Sequence, residues 1–247
     1  ALVLVILVLA RPQTTNKWQN SEIEGIDIML AIDVSTSMLA EDLKPNRLEA
    51  AKDVAAEFIN GRPNDNIGIT LFAGETFTQC PLTVDHAVLL DMIHNIKCGL
   101  ITDGTAVGMG IANAVTRLKD SKAKSKVIIL LTDGTNNKGD ISPMTAAEIA
   151  KSFGIRVYTI GVGTNGMAPY PYPVGNTVQY VSMPVEIDEK TLTEIAGTTD
   201  GNYFRATSNS KLKEVYEEID KLEKTKLNVK EYSKRDEEYH WSVSYTH

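Results

Sequence analysis

Residues 26–38 read IDIMLAIDVSTSM. The first part is a short, nearly unbroken apolar run, the pattern of a strand buried on both faces of a sheet. It ends at Asp33, and Ser35 and Ser37 follow at alternate positions. In extended backbone, residues i, i+2 and i+4 point to one side. One carboxylate and two hydroxyls can therefore converge just beyond the end of a buried strand. In parallel α/β sheets that is where ligands bind.

Three further runs share the pattern: NIGITLFAG (66–74), KVIILLTDG (126–134) and IRVYTIGVG (155–163). Helix-like segments separate them. Arg47 to Asn60 carries Leu48, Ala51, Val54, Ala55 and Phe58 on one stripe, and Asp85 to Ile96 carries Val88, Leu89, Met92, Ile93 and Ile96. Thr105 to Leu118 is a third. Ser142-Pro143 opens a fourth with a capping serine and a first-turn proline, and Gly154 closes it. Asp188 to Ala196 and Leu212 to Leu222 add two more. ETFTQCPLT (75–83) reads as a short antiparallel edge hairpin and GNYFRAT (201–207) as the last strand. The stretch 164–184, with its YPYP, reads as a proline-rich loop. The alternation predicts a doubly wound α/β fold, with a mostly parallel sheet, one antiparallel edge and about six flanking helices.

The rest of the chain bounds the reading. Its 247 residues are 43% hydrophobic and 23% charged, enough for one large domain. The net charge of -7, with both signs interleaved, argues against a duplex nucleic-acid binder, which needs a basic face. Cys80 and Cys98 form no framework and read as small semi-buried residues. ALVLVILVLA (1–10) is wholly apolar but half the length of a membrane span. It is expected to be the end of a longer spanning segment, separated from the domain by the polar RPQTTNKWQNSE. The expected organisation is membrane end plus linker at 1–25, domain at 26–226, and a polar tail at 227–247 that stops short of any second membrane segment.

Three polar features fall where strands end: Asp33, Ser35 and Ser37; Asp133 in LLTDG; and the loop GLITDGT (99–105), which leads into a helix at Thr105. Together they make an oxygen-rich site of modest charge with no imidazole and no thiolate. Oxygen donors favour Mg²⁺, with Mn²⁺ and Ca²⁺ as the other candidates, over Zn²⁺ or Cu²⁺. A dication held this way keeps a coordination position for an acidic side chain from a partner. Asp103 reads first as a turn residue beside the site, with a supporting contact to the site as the lesser alternative; Glu75 reads as a solvated edge residue, and His86 and His94, eight apart, as histidines unrelated to metal.

D-x-S-x-S at Asp33, Ser35 and Ser37, the Thr of DGT at Thr105 and the Asp of LLTDG at Asp133 resemble the metal-ion-dependent adhesion site of von Willebrand factor type A domains. The likeness spans residues 26 to about 225. EGIDIMLAIDVSTSM after an apolar run ending in ARPQ, RLEAAKDVAAEFI, NIGITLFAG, PLTVD and EEIDKLEKTK resemble the bacterial aerotolerance (Bat-type) membrane proteins of that superfamily. The resemblance implies a central sheet wrapped by about six helices and divalent-dependent protein binding at those five residues. It also implies a place in an inner-membrane envelope complex linked to stress tolerance. The domain would lie on the periplasmic side, with other members of the family as candidate partners. HWSVSYTH (240–247) departs from the family pattern, since it is not the apolar segment expected there.

Two other classes fit the sequence less well. A haloacid-dehalogenase-type phosphatase requires Asp-x-Asp after the first strand, and Ser35 stands at the second position. No G-x-S-x-G elbow and no P-loop lysine is present, and GVGTNG (161–166) leads into prolines and not a helix. A metal-dependent phosphoester hydrolase is thus the weaker alternative, and no catalytic residue is assigned. A membrane-anchored scaffold with no metal role is the other.

Overall fold

The computed structural model describes residues 25–134, 136–174 and 177–224; the apolar run at 1–10 and the tail at 227–247 lie outside them. Strands β1 (Asp27–Asp33), β2 (Asn66–Phe72), β3 (Thr76–Thr83), β4 (Lys126–Thr132), β5 (Ile155–Val162) and β8 (Tyr203–Ala206) form one sheet. Its order is β3-β2-β1-β4-β5-β8. All pairings are parallel except β2 with β3, which is antiparallel. The segment at 75–83 is thus a single edge strand, and the hairpin it makes is with β2.

Helices α1 (Arg47–Asn60), α2 (His86–His94), α3 (Val107–Leu118), α4 (Pro143–Ser152) and α5 (Glu189–Thr198), together with α6 over 209–224, cover both faces. The signals read from the sequence recur in the geometry. Asn46, Asp85, Ser142 and Asp188 cap α1, α2, α4 and α5 by accepting from the third residue beyond each. Such caps satisfy amide groups that the first turn leaves unpaired.

The alternation along β1 divides the interior. Ile28, Leu30 and Ile32 face one layer with α1, α2 and α6, whereas Met29 and Ala31 face the other with α3, α4 and α5. Because both faces are covered, every residue of β1 is buried and the run reads as continuous. From β1 the chain passes to β2 on one side, and β4 adds to the other. The sheet order therefore reverses between β1 and β4, and a crevice opens at their carboxyl ends.

The stretch 164–184 corrects the sequence reading. It is not a loop but a two-stranded hairpin, β6 (Met167–Val174) paired with β7 (Thr177–Pro184). The prolines at 169, 171 and 173 alternate, so their nitrogens all lie on one edge of β6. That edge faces away from β7, since the Pro169 carbonyl accepts from the Glu41 amide at 2.8 Å. Proline is tolerated on such an outer edge because no ladder bond is lost there. The hairpin stands off the core, and β7 is exposed along its whole length.

Candidate metal centre

The crevice at the sheet reversal holds four of the five residues in one bonded set. Asp33, the last residue of β1, is fully buried; its Oδ1 accepts from the Ser35 amide at 2.9 Å and its Oδ2 from the Thr132 hydroxyl at 2.6 Å. Thr132 ends the neighbouring strand β4, so it reaches across the reversal. The chain then turns through a short 3-10 segment, Thr36–Leu39. Ser35 Oγ lies 3.0 Å from Ser37 Oγ, and Ser37 Oγ donates to Asp133 Oδ1 at 2.7 Å.

Thr105 comes in from the other side. Gly74 lets its loop close onto the end of β2: a Cβ there would lie 2.8 Å from the carbonyl oxygens of Thr102 and Asp103. The Ala106 amide donates to the Ala73 carbonyl at 2.7 Å, and Thr105 itself precedes α3 rather than starting it. Gly134, next to Asp133, has Thr105 Oγ1 3.2 Å from the position its Cβ would take, so a larger residue there would press on Thr105 and shift it by a few tenths of an ångström. The Asn137 carboxamide oxygen fixes the loop by accepting from the Thr105 amide at 2.9 Å.

Arg47, read from sequence only as the start of a helix, is part of the site. It is nearly buried, and its Nη1 donates to Asp133 Oδ2 at 2.7 Å. Its Nε and Nη2 grip Asp42 at 2.8 and 2.7 Å, and the Thr164 amide donates to the same Asp42 at 2.8 Å. Asp42 and Arg47 are five apart and only one of them is helical, so no helix-face spacing announced the pair. Asp103 also does more than turn the chain: it accepts from the Thr36 amide at 3.0 Å and the Thr36 hydroxyl at 2.8 Å. Both bonds pin the turn that carries Ser35 and Ser37. Glu75 stays at the edge, accepting from the Thr102 hydroxyl. His86 and His94 meet backbone carbonyls of Asp65 and Leu90.

The electrostatics follow from burial. Desolvation, with the Asp133 carboxylate close by, pushes Asp33 up to about 7. Burial raises Asp133 as well, against the pull of Arg47 and Ser37. Burial acts the same way on Asp42 but is outweighed by Arg47 and Thr164, which hold it down at about 2. Cys98, whose thiol meets the Ser35 carbonyl, is pushed up to about 12 by burial and then by Asp33 and Asp133. The crevice is thus a place where negative charge is crowded and under-solvated.

These residues fit a hard dication. Among the described residues no three His, Cys, Asp or Glu side chains cluster as a cage, so the hydroxyls must supply the remaining ligands. Asp33 and Asp133 would supply charge, and Ser35, Ser37 and Thr105 neutral oxygens. When bound, such an ion is a Lewis acid that accepts a carboxylate. A separate cleft between α1 and α6, about 300 Å³ and lined by Phe58, Arg62 and Tyr216, holds none of these groups. It lies toward the amino ends of the strands.

The family model of the von Willebrand factor type A domain matches residues 27–218, and the chain belongs to that family. Within it, the chain is similar to BatB from Bacteroides thetaiotaomicron: 34% identical, TM-score 0.71, covering 81% of this chain and 100% of that structure. An aerotolerance-related membrane protein from Bacteroides fragilis is also 34% identical, with TM-score 0.69 over 80% of this chain and 100% of that one. Proximal thread matrix protein 1 of the mussel byssus is 25% identical with TM-score 0.63, covering 80% of this chain and 45% of that protein, and its adhesion motif holds zinc.

Proposed function

We propose that this domain is a divalent-dependent protein-binding module, non-catalytic, in which Asp33, Ser35, Ser37, Thr105 and Asp133 hold Mg²⁺. The observation that carries the reading is the buried Asp33–Asp133 pair at the sheet reversal, joined to two serine hydroxyls and with its charge pushed out of the usual carboxylate range. A dication relieves that crowding. The partner would present an acidic side chain to the ion. The zinc held by the mussel protein's motif supports a metal at this place in the fold. Mg²⁺ is preferred here on donor chemistry, since all five groups are oxygens.

The similarity to an aerotolerance-related membrane protein supports a place in a membrane-associated, stress-linked complex. In this reading the domain occupies 26–226, residues 1–25 tether it to the bacterial inner membrane, and it faces the periplasm. Among the described residues no helix is long and apolar enough to cross a membrane. The test is capture of partners from membrane extracts on immobilised protein in Mg²⁺ and in EDTA. Partners that elute specifically with EDTA support the reading, and capture unchanged by EDTA opposes it.

One observation favours a metal-free scaffold instead. Arg47 already gives Asp133 a buried cation at 2.7 Å. Thermal melting with and without Mg²⁺ separates the two readings, because a ligand that binds only the native state stabilises it.

A further inference from the structure

We infer that the cleft beside the metal centre, roofed by the β6–β7 hairpin, takes a large apolar side chain adjoining the partner's carboxylate. The partner would then be read as an exposed segment that pairs Asp or Glu with a neighbouring aromatic or long aliphatic residue. This inference rests on the metal-dependent reading above and adds a specificity determinant to it.

The cleft measures about 280 Å³. One wall is the site itself: Ser37, a candidate ligand, and Arg47, which holds Asp133. The opposite wall is the hairpin, through Tyr170, Tyr172 and Met183. Because Ser37 lines the cleft, a carboxylate held at the site would have its neighbouring residue beside this opening. The space is at the lower bound of small-molecule pockets and suits one large side chain better than a whole ligand.

The lining decides what enters. Register places Ala168, Tyr170 and Tyr172 opposite Met183, Val181 and Gln179, so these residues share one face of the hairpin. That face presents rings and a thioether to the cleft, whereas the polar groups on the far side, Thr36, Ser37 and Arg47, are already engaged by Asp103, Asp133 and Asp42. Tyr172 and Met183 are 57% and 48% exposed, so both are accessible to a side chain that enters the cleft. The hairpin is also tied down there: the Glu41 amide donates to the Pro169 carbonyl at 2.8 Å and the Tyr180 hydroxyl to Glu41 at 2.9 Å. A wall fixed to the turn that follows the ligand loop can discriminate among neighbours of the acid.

The test uses the full chain and surface-immobilised eight-residue peptides with a central Glu. The neighbouring residue is Phe or Ser, and a third peptide carries Gln for Glu with Phe retained. Tyr172→Ser combined with Met183→Ser is the variant; both side chains are solvent-exposed, and its Mg²⁺-induced melting shift is recorded beside that of wild type. In Mg²⁺ the wild type should retain the Glu–Phe peptide roughly tenfold or more above Glu–Ser, the order expected for burying one large apolar side chain. The Gln–Phe peptide and all peptides in EDTA should not be retained. The variant should lose the preference for Phe and keep the melting shift. A wild type that shifts with Mg²⁺ but shows no preference for Phe overturns this inference alone. Preference that survives in the variant does the same, as does Phe binding that ignores both Glu and EDTA. So does Mg²⁺-independent sedimentation of the wild type, but not the variant, with phosphatidylglycerol vesicles, which would assign the hairpin to lipid. A wild type with no Mg²⁺ shift removes the metal reading and the inference with it.

Discussion

Replacing Arg47 by Met is the perturbation that the geometry makes most informative. The guanidinium joins Asp133 at 2.7 Å and Asp42 at 2.8 and 2.7 Å, with all three side chains at most 4% exposed. Methionine keeps much of the apolar stem and removes the charge and the donors. Two buried carboxylates then lose their cation. Removing one partner of a buried ion pair costs about 3–5 kcal/mol. In a domain of this size each kcal/mol moves Tm by roughly 2–4 °C, so in EDTA the variant should melt about 6–20 °C below wild type. The effect in Mg²⁺ runs the other way. Arg47 repels a dication at Asp133, and a unit and a double charge a few ångströms apart cost several kcal/mol even at an effective dielectric of about 20. The variant should therefore gain more from Mg²⁺ than wild type does, and part of the loss should be recovered. The assay is thermal melting of both proteins in EDTA and in saturating Mg²⁺. A variant within about 2 °C of wild type in EDTA would refute the structural role of the ion pair. An equal deficit in both buffers would refute the competition between Arg47 and metal.

Protons should compete with metal at the same place. Asp33 is raised to about 7 by burial and by Asp133, so the stability it contributes to the metal-free fold is complete below the ordinary carboxylate pKa and is lost as pH rises through about 7. Melting in EDTA should show this contribution declining between pH 4 and pH 8, while the Mg²⁺-induced shift grows over the same range; a shift independent of pH would contradict it. Glu223→Ala should destabilise the domain by about 3 kcal/mol or more without altering the Mg²⁺ shift. The carboxylate is buried and accepts from Ser125 at 2.8 Å, Tyr158 at 2.6 Å and Arg156 at 2.8 Å, locking α6 to the sheet; denaturant titration measures the cost. Asp103→Ala should weaken Mg²⁺ binding by about 1 kcal/mol, roughly fivefold, through loss of the two bonds that hold Thr36, with little change in apo Tm. Calorimetric titration of Mg²⁺ would show it, and an unchanged Kd would return Asp103 to the role of a plain turn residue.

The sheet was legible because its strands are buried on both faces and therefore read as unbroken apolar runs, and because helices carry their caps in sequence. The converging oxygens of Asp33, Ser35 and Ser37 were legible for a related reason, since a strand end sets the direction of alternate residues. The β6–β7 hairpin was not. Its prolines are individually strand-breaking, and only their alternation, which puts every missing donor on one edge, makes the strand tolerable. Arg47 was hidden by its place: it reads as the polar first residue of an amphipathic helix, and although a cation there runs against the helix dipole, nothing local shows that its head turns into the crevice between Asp42 and Asp133. Asp103 reads first as a turn because Asp-Gly is common in turns, and only as a lesser alternative as a support for the site, since its partner Thr36 lies 67 residues away.

The central claim is that Asp33 and Asp133 hold one dication at the end of β1. Titrating the protein with Mn²⁺ and reading free ion by electron paramagnetic resonance tests it most directly, because Mn²⁺ accepts the same oxygen donors. One Mn²⁺ should bind per wild-type chain, displaced by excess Mg²⁺, and no ion should bind at the same concentration in Asp133→Ala, although that variant remains folded by circular dichroism. Full binding retained by the variant, or none in wild type at millimolar Mn²⁺, would contradict it.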